Sequence, residues 1–180
     1  MDSKIKDRFA VRPLTLLDHY VVRPLALLVI LFFTGCKQDS WVDWKFQNEL
    51  WLAKNKSKPG VQTTASGLQY YIIADPTPTD ARPNPTSTII CDYTLELING
   101  TVVQSKQNYG CYLGSQIPGF TEGCHKIHNN GDIKLYIPAS LGYDYDTTDG
   151  LGYGTEGYSA HIPPYSTLIF TIHICSVNGN

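Results

Sequence analysis

Methionine is nearly missing from this chain, with 1 in 180 residues, and charge is sparse, at 17% of positions with a net of -2. So small a charge lacks the basic footprint of a nucleic-acid partner. No CxxC occurs, and the cysteines and histidines do not stand at metal-ligand spacing, so neither a zinc site nor a redox dithiol is expected. No GxSxG elbow is present, and no serine has a context that pairs it with a base. The stretch "DYDTTDG" (144–150) begins like a calcium loop but puts Asp149 where the loop needs Gly and Thr155 where it needs an acid. What is plentiful is Tyr (12), Gly (15) and Pro (11), a composition of strands and turns. The length suits one globular domain with a tail.

The tail is at the front. Behind Lys4, Lys6, Arg8, Arg12 and Arg23, the run Pro24 to Phe33 is apolar and leads through small residues to Cys36. That is the order of a secretory signal, and the run is too short to span a membrane comfortably. "FTGC" resembles the lipobox of bacterial lipoproteins, with Phe33 where Leu is usual. Residues 1–35 are therefore expected to be a signal peptide cleaved before a lipidated Cys36, which would hold the protein on a membrane of the cell envelope, facing the periplasm or the cell surface. The alternative is an uncleaved anchor with an incidental cysteine. Secretion leaves Cys91, Cys111, Cys124 and Cys175 in an oxidising compartment, where they form up to two bridges or stay as buried thiols. Cys91 and Cys175 lie in apolar strand-like runs, which favours buried thiols.

Residues 39–56 read as an amphipathic helix with Trp41, Trp44, Leu50 and Trp51, docked on the domain or touching a membrane interface. Strands are predicted over 67–73, 87–97, 101–106, 132–138 and 166–177, with a hairpin turn at Asn99-Gly100. Residues 74–85 form a Pro-rich loop, and 122–132 reads as a short helix closed by Asn130-Gly131. The histidines 125, 128, 161 and 173 are scattered, which suits hydrogen-bonding roles. The division expected is 36–59 for a helix and linker and 60–180 for an α+β domain, a twisted antiparallel sheet around one short helix.

Taken together, "SGLQYYII", "DYTLELINGTVVQS", "IPGFTEG", "GDIKLYIPASLGY" and "IPPYSTLIFTIHI" resemble, in order and spacing, the FKBP-type peptidyl-prolyl isomerases, over about residues 60–177. The resemblance implies rotation of X-Pro amides in proline-containing proteins or peptides, assisting the folding of envelope proteins, without cofactor or metal. It also implies a pocket: Tyr93 as a wall, Ile117 as a backbone N–H donor to a substrate carbonyl, Phe120 as the floor, Tyr143 as a rim hydroxyl, and Ile162 and Phe170 as the remaining apolar wall. Tyr153 is a second candidate for the rim.

Four positions depart from the family. Val103 and Gln104 replace "FD", Gln116 replaces a Val, and the upstream wall Phe falls on Cys111 or, in a shifted register, on Tyr109 or Tyr112. A shallower and wetter pocket is implied, with reduced activity and poor macrolide binding. The rival reading keeps the fold as a binding or chaperone module without catalysis. A monomer is expected, because the long dimerising arm of some secreted members is absent.

Overall fold

The computed structural model describes residues 42–76, 81–143 and 162–178. The proposed signal, Cys36, Trp41, the stretch at 144–150, Tyr153 and His161 lie outside the described residues.

Helix α1 spans Val42–Asn55, with Asp43 in its first turn and Lys54 in its last, each matching the helix dipole. Its docking is polar. Asn48 and Asn55 are its buried residues, while Val42, Phe46 and Leu50 are 54%, 63% and 41% exposed. Leu50, which the sequence pattern groups with the tryptophans, therefore faces outward. Asn48 Oδ1 accepts from the Thr167 N–H at 2.7 Å, and Asn55 Nδ2 donates to Gln69 Oε1 at 3.0 Å. Trp44 Nε1 donates to Ser166 Oγ, whose hydroxyl donates to the Pro163 carbonyl, and Trp51 stacks at 5.6 Å on Tyr136.

Six strands follow: β1 (Gln62–Thr63), β2 (Gln69–Ala74), β3 (Thr88–Glu96), β4 (Val102–Tyr112), β5 (Asp132–Ile137) and β6 (Leu168–Asn178). They form one antiparallel sheet in the order β1-β2-β5-β6-β3-β4, so β4 is a long edge. Period-two alternation builds the core. On β3, Ile89, Cys91, Tyr93 and Leu95 point inward while their neighbours are half-exposed or exposed. Opposite Cys91, Tyr93 and Leu95 on β6 lie Ile174, Ile172 and Phe170.

The Asn99-Gly100 turn forms as predicted, with Gly100 at φ +82° and Asn99 Oδ1 accepting from the Thr101 N–H. The strand after it is longer than the predicted 101–106. Asn108 takes φ +51° and its N–H is held by Asp92 Oδ1 at 2.7 Å, so a bulge carries the strand past the polar "KQN" to Tyr112.

The short helix also moves. Helix α2 is Pro118–Cys124, not 122–132. Pro118 starts it because its missing N–H costs nothing in the first turn. Beyond Cys124, tertiary bonds take the backbone away: Asp75 accepts from the His128 N–H, Ala81 O from the Asn129 N–H, and Ile174 O from the Asn130 N–H. Asn130 still closes the segment, at φ +60°. Helix α2 packs on β5 through glycines, since a Cβ at Gly119 would run into Ile137 and one at Gly123 into Leu135.

The four cysteines of the domain are free, and Cys91, Cys111 and Cys124 are buried. No helix among the described residues is long and apolar enough to cross a membrane.

Candidate active site

Four rings from four elements meet at one end of the sheet. Tyr93 of β3 stands 5.4 Å from Tyr109 of β4, 6.3 Å from Phe120 of α2 and 5.6 Å from Phe170 of β6, and Phe120 and Phe170 are 5.3 Å apart. Most of these contacts are edge-to-face, which suits the ring quadrupoles and fixes each plane. Above them opens a cavity of about 200 Å³, with Phe120 and Phe170, 3% and 4% exposed, as its buried base.

Local sequence places these rings for separate reasons. Alternation puts Tyr93 and Phe170 on the core side of β3 and β6. Pro118 and Gly119 start α2 at the cavity, so Phe120 enters on the first turn with its ring under the opening. Ile117 caps that helix in extended backbone (φ -58°, ψ 145°), and its carbonyl accepts from the N–H groups of Phe120 and Thr121. The N–H of Ile117 makes no hydrogen bond among the described residues, and Ile117 lines the cavity. The loop that carries it is pinned: Thr121 Oγ1 donates to Leu113 O at 2.6 Å, and the Leu113 N–H donates to Ser87 O. A donor without a partner among the described residues thus sits on a pinned loop at the aromatic cavity.

The rest of the lining is polar. The Tyr93 hydroxyl donates to Gln104 Oε1 at 2.5 Å. Gln116, Lys106, Tyr109 and Tyr143 complete the walls. Of the predicted site residues, the structure thus gathers Tyr93, Ile117, Phe120, Tyr143 and Phe170 around the cavity, together with Gln104 and Gln116. Ile162 and Val103 stand outside the lining, packed against the core. Cys111 is buried and Tyr112 is 47% exposed, so of the three candidates for the upstream aromatic only Tyr109 lines the cavity.

Sequence reasoning missed Lys106. The signal was available, because counting the register back from the Asn99-Gly100 turn sets Lys106 opposite Tyr93. Among the described residues, no Asp, Glu or His lines the cavity, and no three metal-ligating side chains cluster. The chemistry these lining residues suit is binding, desolvation and hydrogen bonding.

Among the described histidines, His128 and His173 are held in polar pairs. His128 Nδ1 meets Asp75 at 3.0 Å while its Nε2 accepts from Arg82 Nε at 3.2 Å, and His173 Nδ1 meets Asp132 at 3.0 Å. His125 has a buried Nε2 without a partner, and burial pushes its imidazole below the ordinary range.

A sequence model described as FKBP-type peptidyl-prolyl cis-trans isomerase matches residues 79–175, and one described as the domain amino terminal to that isomerase matches residues 38–72. Outer membrane protein MIP of Legionella longbeachae is 35% identical over 137 residues, covering 74% of this chain and 54% of its own length. A probable FKBP-type isomerase, FkpA, of Neisseria meningitidis is 34% identical over 139 residues, 75% of this chain and 47% of its own length. The crystal structure of FkpA from Escherichia coli superposes with a TM-score of 0.66 at 25% identity, covering 89% of this chain and 71% of that one. The chain spans about half the length of the relatives it matches.

Proposed function

Since the chain belongs to the FKBP-type peptidyl-prolyl cis-trans isomerase family, we propose that it catalyses rotation about X-Pro amide bonds in proline-containing proteins or peptides. The uncatalysed barrier is about 18–20 kcal/mol, because twisting the amide loses its resonance. No covalent step is required. A planar amide is more polar than a twisted one, so a dry aromatic cage destabilises the ground state relative to the transition state. The proline ring would lie on Phe120 and Phe170, flanked by Tyr93 and Tyr109. The N–H of Ile117 would hold a substrate carbonyl, and the Tyr143 hydroxyl would be a second donor at the rim. Gln104 would keep Tyr93 turned against the cage as a neutral acceptor.

The observation that carries this reading is the Ile117 N–H, unpaired among the described residues, beside the aromatic floor. A buried or half-buried donor is normally paired within the protein, so one left open at a cavity suits an external acceptor. The test is proline cis-trans exchange in a short peptide, followed by NMR with the full chain in mild detergent. Faster exchange supports the proposal, and a rate equal to the peptide alone refutes it. The polar walls at Gln104, Lys106 and Gln116 favour the second reading, a module that binds proline segments and turns them over poorly.

The family's envelope relatives and the "FTGC" stretch support placing the protein in a bacterial cell envelope, assisting folding there as a lipoprotein anchored through Cys36 after removal of residues 1–35. Mass analysis of the mature N-terminus tests this: an unmodified Cys36 ends the lipoprotein reading.

A further inference from the structure

Among the described residues, Lys106 is the one formally charged side chain on the cavity walls, and no acid lines the cavity beside it. Lys106 pairs directly with Tyr93 across β3 and β4, so both side chains leave the same face of the sheet, the face on which the cage is built. Lys106 lines the cavity; among the described residues no Asp or Glu does. The carboxylate ion pairs of the described residues are Asp75 with His128 and Asp132 with His173, and neither involves Lys106. The other polar walls, Gln104, Gln116 and the tyrosines, are neutral.

We propose that Lys106 determines substrate preference, favouring prolyl segments that carry a carboxylate side chain on a residue next to the proline. The proposal rests on the cavity's being the prolyl site. The cage itself takes the uncharged pyrrolidine ring, since a charge set among four rings would lose its water without a partner. A neighbouring residue must then pass the rim, where the ammonium sits on a long flexible stem in contact with solvent. An exposed pair of this kind is worth a twofold to fivefold effect, about 0.4–1 kcal/mol, and it weakens as salt screens it. Basic neighbours are disfavoured by a similar factor.

Lys106 also lies on an edge strand, where a lysine deters pairing between molecules. Lys106→Glu separates the two roles, because it keeps a charge on the edge while reversing the sign at the cavity. The experiment is NMR titration of the full chain in mild detergent with the peptides Ac-Ala-Xaa-Pro-Phe-NH2 and Ac-Ala-Leu-Pro-Xaa-NH2, where Xaa is Glu, Gln or Lys. Binding is read from amide shifts, and isomerisation separately from exchange. The expected result, in at least one series, is Glu bound about two to five times more tightly than Gln and Lys less tightly, with the spread narrowing at about 0.5 M salt. Lys106→Ala should erase the Glu-to-Gln ratio and Lys106→Glu should invert it. Equal binding of Glu and Gln peptides, no binding of any peptide, or a preference that survives in Lys106→Ala overturns the proposal. A chain that binds in the predicted charge order without speeding exchange supports the proposal and removes the isomerase reading. One that speeds exchange of all peptides equally, with equal binding, does the reverse.

Discussion

The hydrogen bond between Tyr93 and Gln104 is the point at which stability and the proposed activity meet. The hydroxyl donates to Gln104 Oε1 at 2.5 Å, and the ring it steers touches Tyr109, Phe120 and Phe170. Tyr93→Phe keeps all three ring contacts and deletes only the hydroxyl. A neutral hydrogen bond at a half-buried site contributes about 0.5–1.5 kcal/mol net, so the substitution should cost about 1 kcal/mol. Gln104→Leu removes the acceptor and should cost a similar amount. If the bond is the shared cause, the double variant costs less than the two singles added together, with a coupling of about 1 kcal/mol. In activity, freeing the Tyr93 ring should lower kcat/KM for a prolyl peptide about fivefold, the factor that about 1 kcal/mol represents. Urea unfolding read by tryptophan fluorescence gives the stability cycle, and NMR exchange gives the rates. Strict additivity in both measurements, with every single variant near wild type in rate, would refute the assignment of Gln104 as the group that orients Tyr93.

Other outcomes follow from particular contacts. Gly119→Ala should destabilise the fold by about 1–3 kcal/mol despite Ala's better helix propensity, because the new Cβ meets the stiff, buried Ile137; urea unfolding checks it. Asn48→Ala should cost about 1–3 kcal/mol by orphaning the Thr167 N–H, and protease cleavage in residues 56–61 should speed up as α1 loosens. The His125 imidazole is pushed down chiefly by burial, so below its ordinary value of about 6.5 the unfolded chain binds a proton that the folded chain refuses. Stability from this group is therefore complete above that pH and falls as the pH drops towards the lowered folded value, so His125→Gln should make the loss between pH 7 and pH 5 smaller in urea titrations. Burial also pushes the Cys124 thiol up, so at pH 8 iodoacetamide should label the half-exposed Cys175 first and Cys124 only as fast as the chain opens; labelling of both at one rate in the folded protein would contradict the packing described.

Much of the frame is legible in the sequence. The β3 and β6 strands announced themselves through β-branched and aromatic residues in alternation, and Asn99-Gly100 marked the hairpin between β3 and β4. The family resemblance supplied Tyr93, Ile117, Phe120 and Phe170 as a set, and these converge on one cavity. The misreadings share a cause. Helix α2 was displaced because residues 125–130 have acceptable helical composition, yet Asp75, Ala81 and Ile174 claim the N–H groups of His128, Asn129 and Asn130. The second half of β4 is not legible because Lys106, Asn108 and Gly110 are poor strand formers, and the segment is held by β3 and the Asp92 bond to the Asn108 N–H.

By itself, then, the sequence determined what depends on neighbours along the chain: which residues alternate, where Pro118 and Gly119 break the backbone, and which rings the domain owns. Those properties follow from backbone sterics and a period of two, which need no distant partner. Only the tertiary structure decided which side chains face one another. It turned α1 so that Asn48 and Asn55, rather than Phe46 and Leu50, meet the sheet. It put Tyr109 instead of Cys111 in the wall, and the bulge between the Tyr93–Lys106 and Cys91–Tyr109 pairs lets Lys106 and Tyr109, three residues apart, both line the cavity, because an extra residue in an antiparallel register reassigns the side chains beyond it.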